Sequence, residues 1–534
     1  MRMMWKLNTG AAMAERSVMC SGARSHAALR CWRRGIAVLG ATALLATLSI
    51  GAASATAGAA TSPSGGVPTP GSGSLGDRLY PTLGDGGYDP LHYFLNLRYA
   101  TRSPAQAVDG TVTMTAKATQ ALSRFDLDFS GSGVGAVQVD GRKAHMVWTG
   151  QKLVITPAAP IALGQRFTVV VHNFTAKPTT PLAGEEGTTA FFITPDGSAT
   201  AGQPNLMNSV YPCNDYPSEK ATFSFRMNVP AGETAVANGD LTSERTAAGR
   251  SIWTYSENQP MATELTQLVA GKFTVIPRGE VDGVTIRDVV PTRLVGQYQK
   301  LLSVEKSQVA WMEKRVGVYP FDQFGSLITD APLGFALETQ TLALYGNTLI
   351  TDPVAVSAPT MLHELSHQWF GDSVTPSSWS DTWLNEGQAT WYTYTYAADE
   401  GYIKQASGEP NFTALMKDWY AQGDQFRAKY GPVALPRAGG GAHEVENDYS
   451  LQVYYGGALT LYALRQRIGA RDFDRLERAW VSKFAGRSVS TADFISLASA
   501  ISGHDQNAFL RSWLYGTKTP PMPGHPDWTV TPVS

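Results

Sequence analysis

The chain has 534 residues, of which 43% are hydrophobic, 16% charged and 10% aromatic, and its formal net charge is −2. This length exceeds one ordinary hydrophobic core, so we expect two or three domains. The apolar composition excludes disorder as the main state, and the small negative charge gives no electrostatic reason to expect nucleic acid as a partner.

The first 57 residues have the features of a secretory signal peptide. They carry seven Lys or Arg against one acid. Arginines within 30–34 precede an apolar run over 36–50, and small residues with A-x-A patterns follow at 53–57. This order of segments predicts a cleaved signal and a secreted protein, with an uncleaved membrane anchor as the alternative. Because no comparable apolar run follows, we expect no membrane contact once the signal is cleaved.

The next part of the chain has the pattern of a linker followed by many short strands. Residues 58–79 are rich in Gly, Ser and Pro, which predicts a flexible linker. Over residues 80–275, alternating apolar and polar runs are separated by Gly, Pro, Asn and Asp, which predicts an N-terminal all-β domain of sandwich type. Examples of the predicted strands are 112–115, 153–156, 167–171 and 222–225.

Residues 276–534 have a different, mainly helical character. Two short apolar runs, 325–328 and 343–349, predict a small sheet within this second domain. The fold class expected is therefore multidomain α and β, with a β domain before a mainly helical one. Helical periodicity and helix-forming composition are found at 297–316, 355–371, 382–400 and 451–468.

One pentapeptide, H-E-L-S-H at 363–367, carries the clearest chemical signal. The spacing places the imidazoles of His363 and His367 one turn apart on the same helix face, where both can bind one zinc ion. Glu364 points in an adjacent direction and is the candidate general base for a water molecule at the metal. The alternative is that both histidines are ordinary core residues of a buried helix.

A catalytic zinc site needs a third protein ligand. The metzincin continuation would require Gly and His at positions that hold Phe370 and Ser373. A second predicted helix instead contains Glu386, with 18 residues between it and His367, and a carboxylate on a neighbouring antiparallel helix completes a His₂Glu site. The thermolysin variant would place an Asp four residues later, where this chain has Thr390. The residues predict one Zn²⁺ bound by His363, His367 and Glu386.

The chain resembles the aminopeptidase N and leukotriene hydrolase family of zinc peptidases, and the resemblance covers residues 88 to 515. It implies a β-rich N-terminal domain before a thermolysin-like catalytic domain. The matching segments are Y-D-P-L-H-Y at 88–93, Y-P-C-N-D-Y-P at 211–217, V-Y-P-F at 318–321 and H-Q-W-F-G at 367–371.

The same resemblance implies a hydroxyl donor for the transition state. The family places a Tyr in a Y-x-K-G pattern near a helix start, and Tyr454 matches it. Gly456 stands where the family has Lys, so Tyr455 is the alternative donor. From the residues themselves, Asp372 and Asp381 flank the metal ligands and are candidates to hydrogen-bond the far nitrogens of the two histidines, although helix capping explains either equally well.

A carboxylate for the free amine of a peptide is also implied. Glu338 matches the Glu of the family's G-x-M-E-N motif, although Phe335 replaces the first Gly and Thr339 replaces the Asn. Gln203 matches a further polar residue that the family places near the amine. The alternative for Glu338 is a solvated loop acid.

These residues together predict a secreted, zinc-dependent aminopeptidase that acts on peptides, most simply as a monomer. Two alternatives use the same scaffold. One is a zinc hydrolase of a non-peptide electrophile such as an epoxide. The other is a non-catalytic peptide-binding module, against which stands the presence of every ligand and of Glu364.

Overall fold

The computed structural model describes residues 66–99, 108–179, 190–403, 411–439 and 444–533. The predicted signal peptide, 1–57, and the first part of the predicted linker, 58–65, lie outside the described residues. The described stretches belong to one compact unit. In these stretches, no helix combines the length and the apolar character that crossing a bilayer requires.

An eight-stranded sheet is the largest layer of the N-terminal half. In strand Ala221–Pro230 every second residue is buried, because successive side chains of a strand point to opposite faces. This strand runs parallel to Tyr88–Tyr99, whereas the other neighbours are antiparallel. The order across the sheet is Asp240–Ala247, Arg250–Met261, Ala221–Pro230, Tyr88–Tyr99, Val108–Ala118, Arg166–Ala176, Ala136–Val139 and Arg142–Lys143.

Two four-stranded sheets complete the N-terminal half, with short 3₁₀-helices at Met207–Ser209 and Thr263–Leu265. The three sheets share one hydrophobic core that includes Phe125, Val169 and Phe225. All four strands named above as predictions lie within observed strands, and the predicted all-β domain is confirmed. The first small sheet is Thr69–Pro70, Leu122–Asp128, Lys152–Thr156 and His145–Trp148; the second is Phe191–Thr194, Gly197–Thr200, Leu268–Gly271 and Thr234–Ala237.

The C-terminal half combines a small sheet with a set of helices, as predicted. Its sheet has the order Phe273–Val281, Val284–Pro291, Ser326–Thr329, Ala343–Gly346 and Ala336–Leu337, with Gln323–Phe324 beside the second strand, and Thr375–Pro376 pairs separately with Ser488–Val489. The α-helices are Val295–Tyr298, Glu305–Val316, Val354–His367, Trp383–Asp399, Phe412–Tyr430, Glu444–Asp448, Gly457–Ile468, Ala470–Phe484, Thr491–Ser502 and Asn507–Tyr515. Short 3₁₀-helices lie at Thr292–Leu294, Leu301–Val304 and Trp379–Asp381.

Two predicted helices differ from the observed ones in their first turns. The segment 297–316 contains the end of Val295–Tyr298, the 3₁₀ turn Leu301–Val304 and the regular helix Glu305–Val316. The segment 451–468 begins with a π-helical turn at Gln452–Gly456. Periodicity reports the face that a segment buries, and 3₁₀ and π turns bury almost the same face as an α-helix, so the sequence pattern does not distinguish them.

The prediction of a flexible linker is wrong for residues 69–79. Thr69–Pro70 pairs with the strand Leu122–Asp128, and Leu79 is buried. The buried side chain of Asp77 accepts hydrogen bonds from the Tyr216 hydroxyl (2.7 Å) and the Trp379 backbone N–H (3.1 Å). The Gly and Ser content therefore does not reveal that this segment is ordered by contacts with residues distant in sequence.

The two halves share a hydrophobic core and are also joined by the half-buried Lys220. Leu327, Leu337 and Leu344 of the C-terminal sheet belong to the same hydrophobic cluster as the N-terminal strands. Lys220 of the N-terminal half donates to the Asp372 and Ser373 carbonyls and to Thr375 Oγ1, at 2.6, 2.9 and 2.8 Å. Partial burial lowers the pKa of Lys220 to about 8, and the three acceptors stabilise its charged form.

Candidate active site

The pentapeptide at 363–367 ends a buried helix, Val354–His367, which we call the HExxH helix. Every residue from Ser357 to His367 is buried. The rings of His363 and His367 are 4.7 Å apart between centroids and nearly perpendicular, at 83°. The i, i+4 spacing thus brings both imidazoles to one face, as predicted.

Glu386 lies in the first turn of the helix Trp383–Asp399, which we call the second ligand helix. Its Oε2 is 3.2 Å from His363 Nε2 and 3.5 Å from His367 Nε2. Tetrahedral ligands at 2.0–2.1 Å from zinc lie roughly 3.3–3.4 Å apart, so these separations fit a single zinc ion. The structure therefore brings together the three predicted ligands in an arrangement suited to Zn²⁺.

Each ligand histidine has an outer contact on its Nδ1. His363 Nδ1 is 3.0 Å from Thr393 Oγ1. His367 Nδ1 is 2.5 Å from Asn385 Oδ1 and 3.1 Å from the Phe370 carbonyl. Such contacts place the proton on Nδ1 and leave Nε2 for the metal. Sequence reasoning did not find these two residues. Their signal is their spacing from Glu386: Asn385 directly precedes it, and Thr393 follows it by two helical turns.

Asp372 and Asp381, the two candidates from the sequence, do not make these contacts. Asp381 lies in the 3₁₀ turn before the second ligand helix and accepts from Thr491 Oγ1 at 2.6 Å. The Asp372 backbone N–H donates to the His367 carbonyl, but neither carboxyl oxygen of Asp372 has a hydrogen-bond partner among the described residues. Burial, followed by the charge of Glu338, raises the pKa of Asp372 well above its usual range.

The charges at this site favour a cation. Burial alone would raise the pKa of Glu386, but His367 and His363 outweigh it and lower this pKa to about 2. Burial alone would lower the pKa of His367, but Glu338, Glu386 and Glu364 outweigh it and raise this pKa well above its usual range. The acidic surroundings that hold a proton on His367 also attract a divalent ion to its neutral form.

The other four predicted residues line the same small cavity as the three ligands. Glu338, Glu364, Gln203 and Tyr454 all face it, together with Ala336. Ligand atoms of Glu338, Glu364 and His367 lie within 4.8 Å of one another. Gln203 Nε2 donates to Glu338 Oε1 at 2.7 Å. Glu338 is therefore a buried acid of the cavity, and the alternative of a solvated loop acid is wrong.

The two candidate tyrosines have different surroundings. Tyr454 lies in the π-helical turn and stacks on His363, at 5.9 Å between centroids and 14° between planes. Tyr455 is buried against Trp419, at 4.1 Å and 8°, away from the cavity lining. Adjacent residues of a helix point roughly 100° apart, so the two neighbouring tyrosines of this turn face different environments.

Comparison with known proteins agrees with the fold and with zinc as the metal. The Peptidase M1 N-terminal domain model matches residues 89–265, and the Peptidase family M1 domain model matches residues 303–513. A solved M1 zinc metallopeptidase from Deinococcus radiodurans is 30% identical, with a TM-score of 0.69 over 84% of this chain and 99% of that one. The chain belongs to peptidase family M1.

Two further matches are a substrate-bound form of the same solved enzyme and a longer plant relative. A mutant of the Deinococcus radiodurans enzyme, solved with a Tyr-Ser-Ala substrate, is 30% identical with a TM-score of 0.70, covering 85% of this chain and all of that one. Aminopeptidase M1 of Arabidopsis thaliana is 27% identical over 330 residues, which are 59% of this chain and 36% of the relative. The chain thus spans about a third of the length of this plant relative.

Phe335 and Thr339, which differ from the family motif, both have buried contacts that keep the segment around Glu338 in place. Phe335 is buried in the shared core, and the strand Ala336–Leu337 pairs with Ala343–Gly346. Thr339 Oγ1 lies 3.1 Å from Gln267 Oε1, to which it donates. The Glu338 carbonyl accepts from Gln368 Nε2, on the turn after the HExxH helix, at 3.1 Å.

A close backbone contact joins the two elements that carry Glu386 and Tyr454. A Cβ added to Gly387 would lie 2.9 Å from Gly457 Cα, and one added to Gly457 would lie 2.7 Å from Gly387 Cα. Cβ atoms are not found at such distances, so both positions require glycine for this approach. Gly456, at the M1 lysine position, is also crowded, since an added Cβ would lie 2.9 Å from the Gln452 side chain.

Proposed function

We propose that the chain is a secreted, zinc-dependent aminopeptidase that hydrolyses N-terminal residues from peptides. The observation that carries the proposal is the buried carboxylate of Glu338, beside the metal ligands but outside the His₂Glu set. Glu338 Oε1 accepts from the neutral amides of Gln203 and Asn385, and a cation would stabilise this buried carboxylate further. The free α-ammonium of a peptide supplies such a cation, and only an N-terminal residue carries it.

The residues divide the work of peptide hydrolysis. Zinc, when bound, polarises the scissile carbonyl and lowers the pKa of water towards about 7. Glu364 takes a proton from the attacking water and passes it to the leaving amine. The Tyr454 hydroxyl donates to the carbonyl oxygen as negative charge develops there. Glu338 holds the ammonium and so fixes which peptide bond lies between Glu364 and Tyr454.

Replacement of Glu338 tests the exopeptidase assignment. We expect E338A and E338Q to lower kcat/KM for leucine 4-nitroanilide at least about a hundredfold, because a buried charge that loses its partner costs roughly 3–5 kcal/mol. Zinc content should stay near one equivalent in both variants. The glutamine variant keeps the shape of the side chain, so an equal loss in both assigns the effect to charge.

Two results would contradict the proposal. Unchanged anilide turnover in E338A removes the exopeptidase assignment. Less than about half an equivalent of zinc in the unsubstituted protein, with no activity sensitive to a chelator, favours a non-catalytic peptide-binding module.

Secretion is part of the same proposal, and it rests on the sequence of residues 1–57. We expect the protein recovered from the culture medium to begin after the A-x-A segment at 53–57. N-terminal sequencing of secreted protein measures this directly. A protein found only with the membrane fraction, with its first 50 residues intact, would favour the uncleaved anchor.

A further inference from the structure

Asn385 directly precedes the ligand Glu386, and its buried side chain has two functional neighbours. Its Oδ1 lies 2.5 Å from His367 Nδ1, and its Nδ2 lies 3.1 Å from Glu338 Oε1. Asn385 Nδ2 is the donor in the second contact, because a carboxylate oxygen accepts hydrogen bonds. The amide oxygen then faces the imidazole, which must donate from Nδ1.

Other residues touch one of these groups, but Asn385 touches both. The Phe370 carbonyl contacts the His367 ring, and Gln203 contacts the Glu338 carboxylate. A single planar amide therefore joins a metal ligand to the acid that faces the same cavity. Its rigid geometry fixes the separation of the two groups more narrowly than two independent contacts would.

The neighbouring loop leaves room for this amide. Gly371 has a φ of +134°, and a Cβ added there would lie 2.1 Å from Asn385 Oδ1. Any other residue at 371 would have to displace the Asn385 amide or the loop. The helix of Asn385 thus holds its amide in place, and Gly371 leaves the space that the amide oxygen occupies.

We propose that Asn385 is a positioning residue that orients His367 for zinc through its amide oxygen and Glu338 for the substrate amine through its amide nitrogen. The first part depends only on the metal site. The second part rests on the proposed aminopeptidase function. The two parts need separate measurements.

The zinc affinity, measured by competition with a chromogenic chelator, tests the first part. We expect N385A to weaken zinc binding about 10–100-fold, since loss of an outer contact to a ligand histidine has this effect. N385D keeps an oxygen towards His367 and should stay within threefold of the unsubstituted protein. G371A should weaken zinc as N385A does. Equal weakening in N385A and N385D, or none in either, would overturn this part.

A double-mutant cycle with Glu338 tests the second part at saturating zinc. We expect N385A to raise KM for leucine 4-nitroanilide about tenfold in the otherwise unchanged protein and less than twofold in the E338A background. An equal rise in both backgrounds would show that Asn385 does not act through Glu338. If E338A itself leaves KM and kcat unchanged, the aminopeptidase proposal and this second part fail together, while the zinc measurement still decides the first part.

Discussion

Replacing Glu364 with glutamine is expected to lower kcat for leucine 4-nitroanilide by about 10²–10⁴-fold, the range that a positioned general base contributes. Glutamine keeps the shape of the side chain but takes no proton from water at neutral pH. Glu364 is buried and lines the cavity beside the ligands, yet it is not one of the three. Zinc content and melting temperature should therefore change little.

Glu477 offers a matched control for this substitution. It is a buried glutamate outside the cavity lining, and the Tyr392 hydroxyl donates to it at 3.1 Å. We expect E477Q to keep kcat within about threefold of the parent, since it removes a buried carboxylate without touching the cavity. A fall of less than tenfold in E364Q, or an equal fall in both variants, would remove Glu364 as the base.

The second large effect is expected at Tyr454. Loss of one donor to a developing oxyanion lowers kcat by about 10²–10³-fold, so Y454F should show a fall of this size with little change in zinc content. Stopped-flow or steady-state assays with the same anilide measure it. The stacking of the ring on His363 does not need the hydroxyl, so the tertiary structure should persist.

The adjacent tyrosine gives the control. Y455F removes a hydroxyl from a ring packed on Trp419, and we expect kcat to change less than about threefold while stability falls by about 1 kcal/mol. A larger loss of kcat in Y455F than in Y454F would reverse the assignment and would favour the alternative donor.

The metal ligands could be predicted from sequence because their geometry is local. Helical periodicity alone places His363 and His367 on one face, and the short connection to the next helix brings Glu386 opposite them. The roles of Glu338 and Tyr454 depended on resemblance to a family. Periodicity in the sequence does not indicate that the strand before Glu338 and the turn that contains Tyr454 meet at the same cavity.

The outer contacts could not be predicted for the same reason. Asp372 and Asp381 are close to the ligands in sequence, but the orientation of each side chain is decided by its own turn. Thr393 and Asn385 take their place because they lie on the face of the second ligand helix that meets the HExxH helix. Likewise, residues 69–79 have linker composition, and only partners distant in sequence, such as Tyr216 and Trp379, hold them.

The contacts of Lys220 and Gln203 have a consequence for how this protein can be divided. Lys220 supplies three hydrogen bonds to the loop after the HExxH helix, and Gln203 supplies one to Glu338. Both come from the N-terminal half, so truncation or domain exchange near residue 275 would remove the Gln203 donor from Glu338 and leave the Asp372 and Ser373 carbonyls without the Lys220 donor. The cavity around the three metal ligands therefore depends on both halves, and the C-terminal half is not a transferable module.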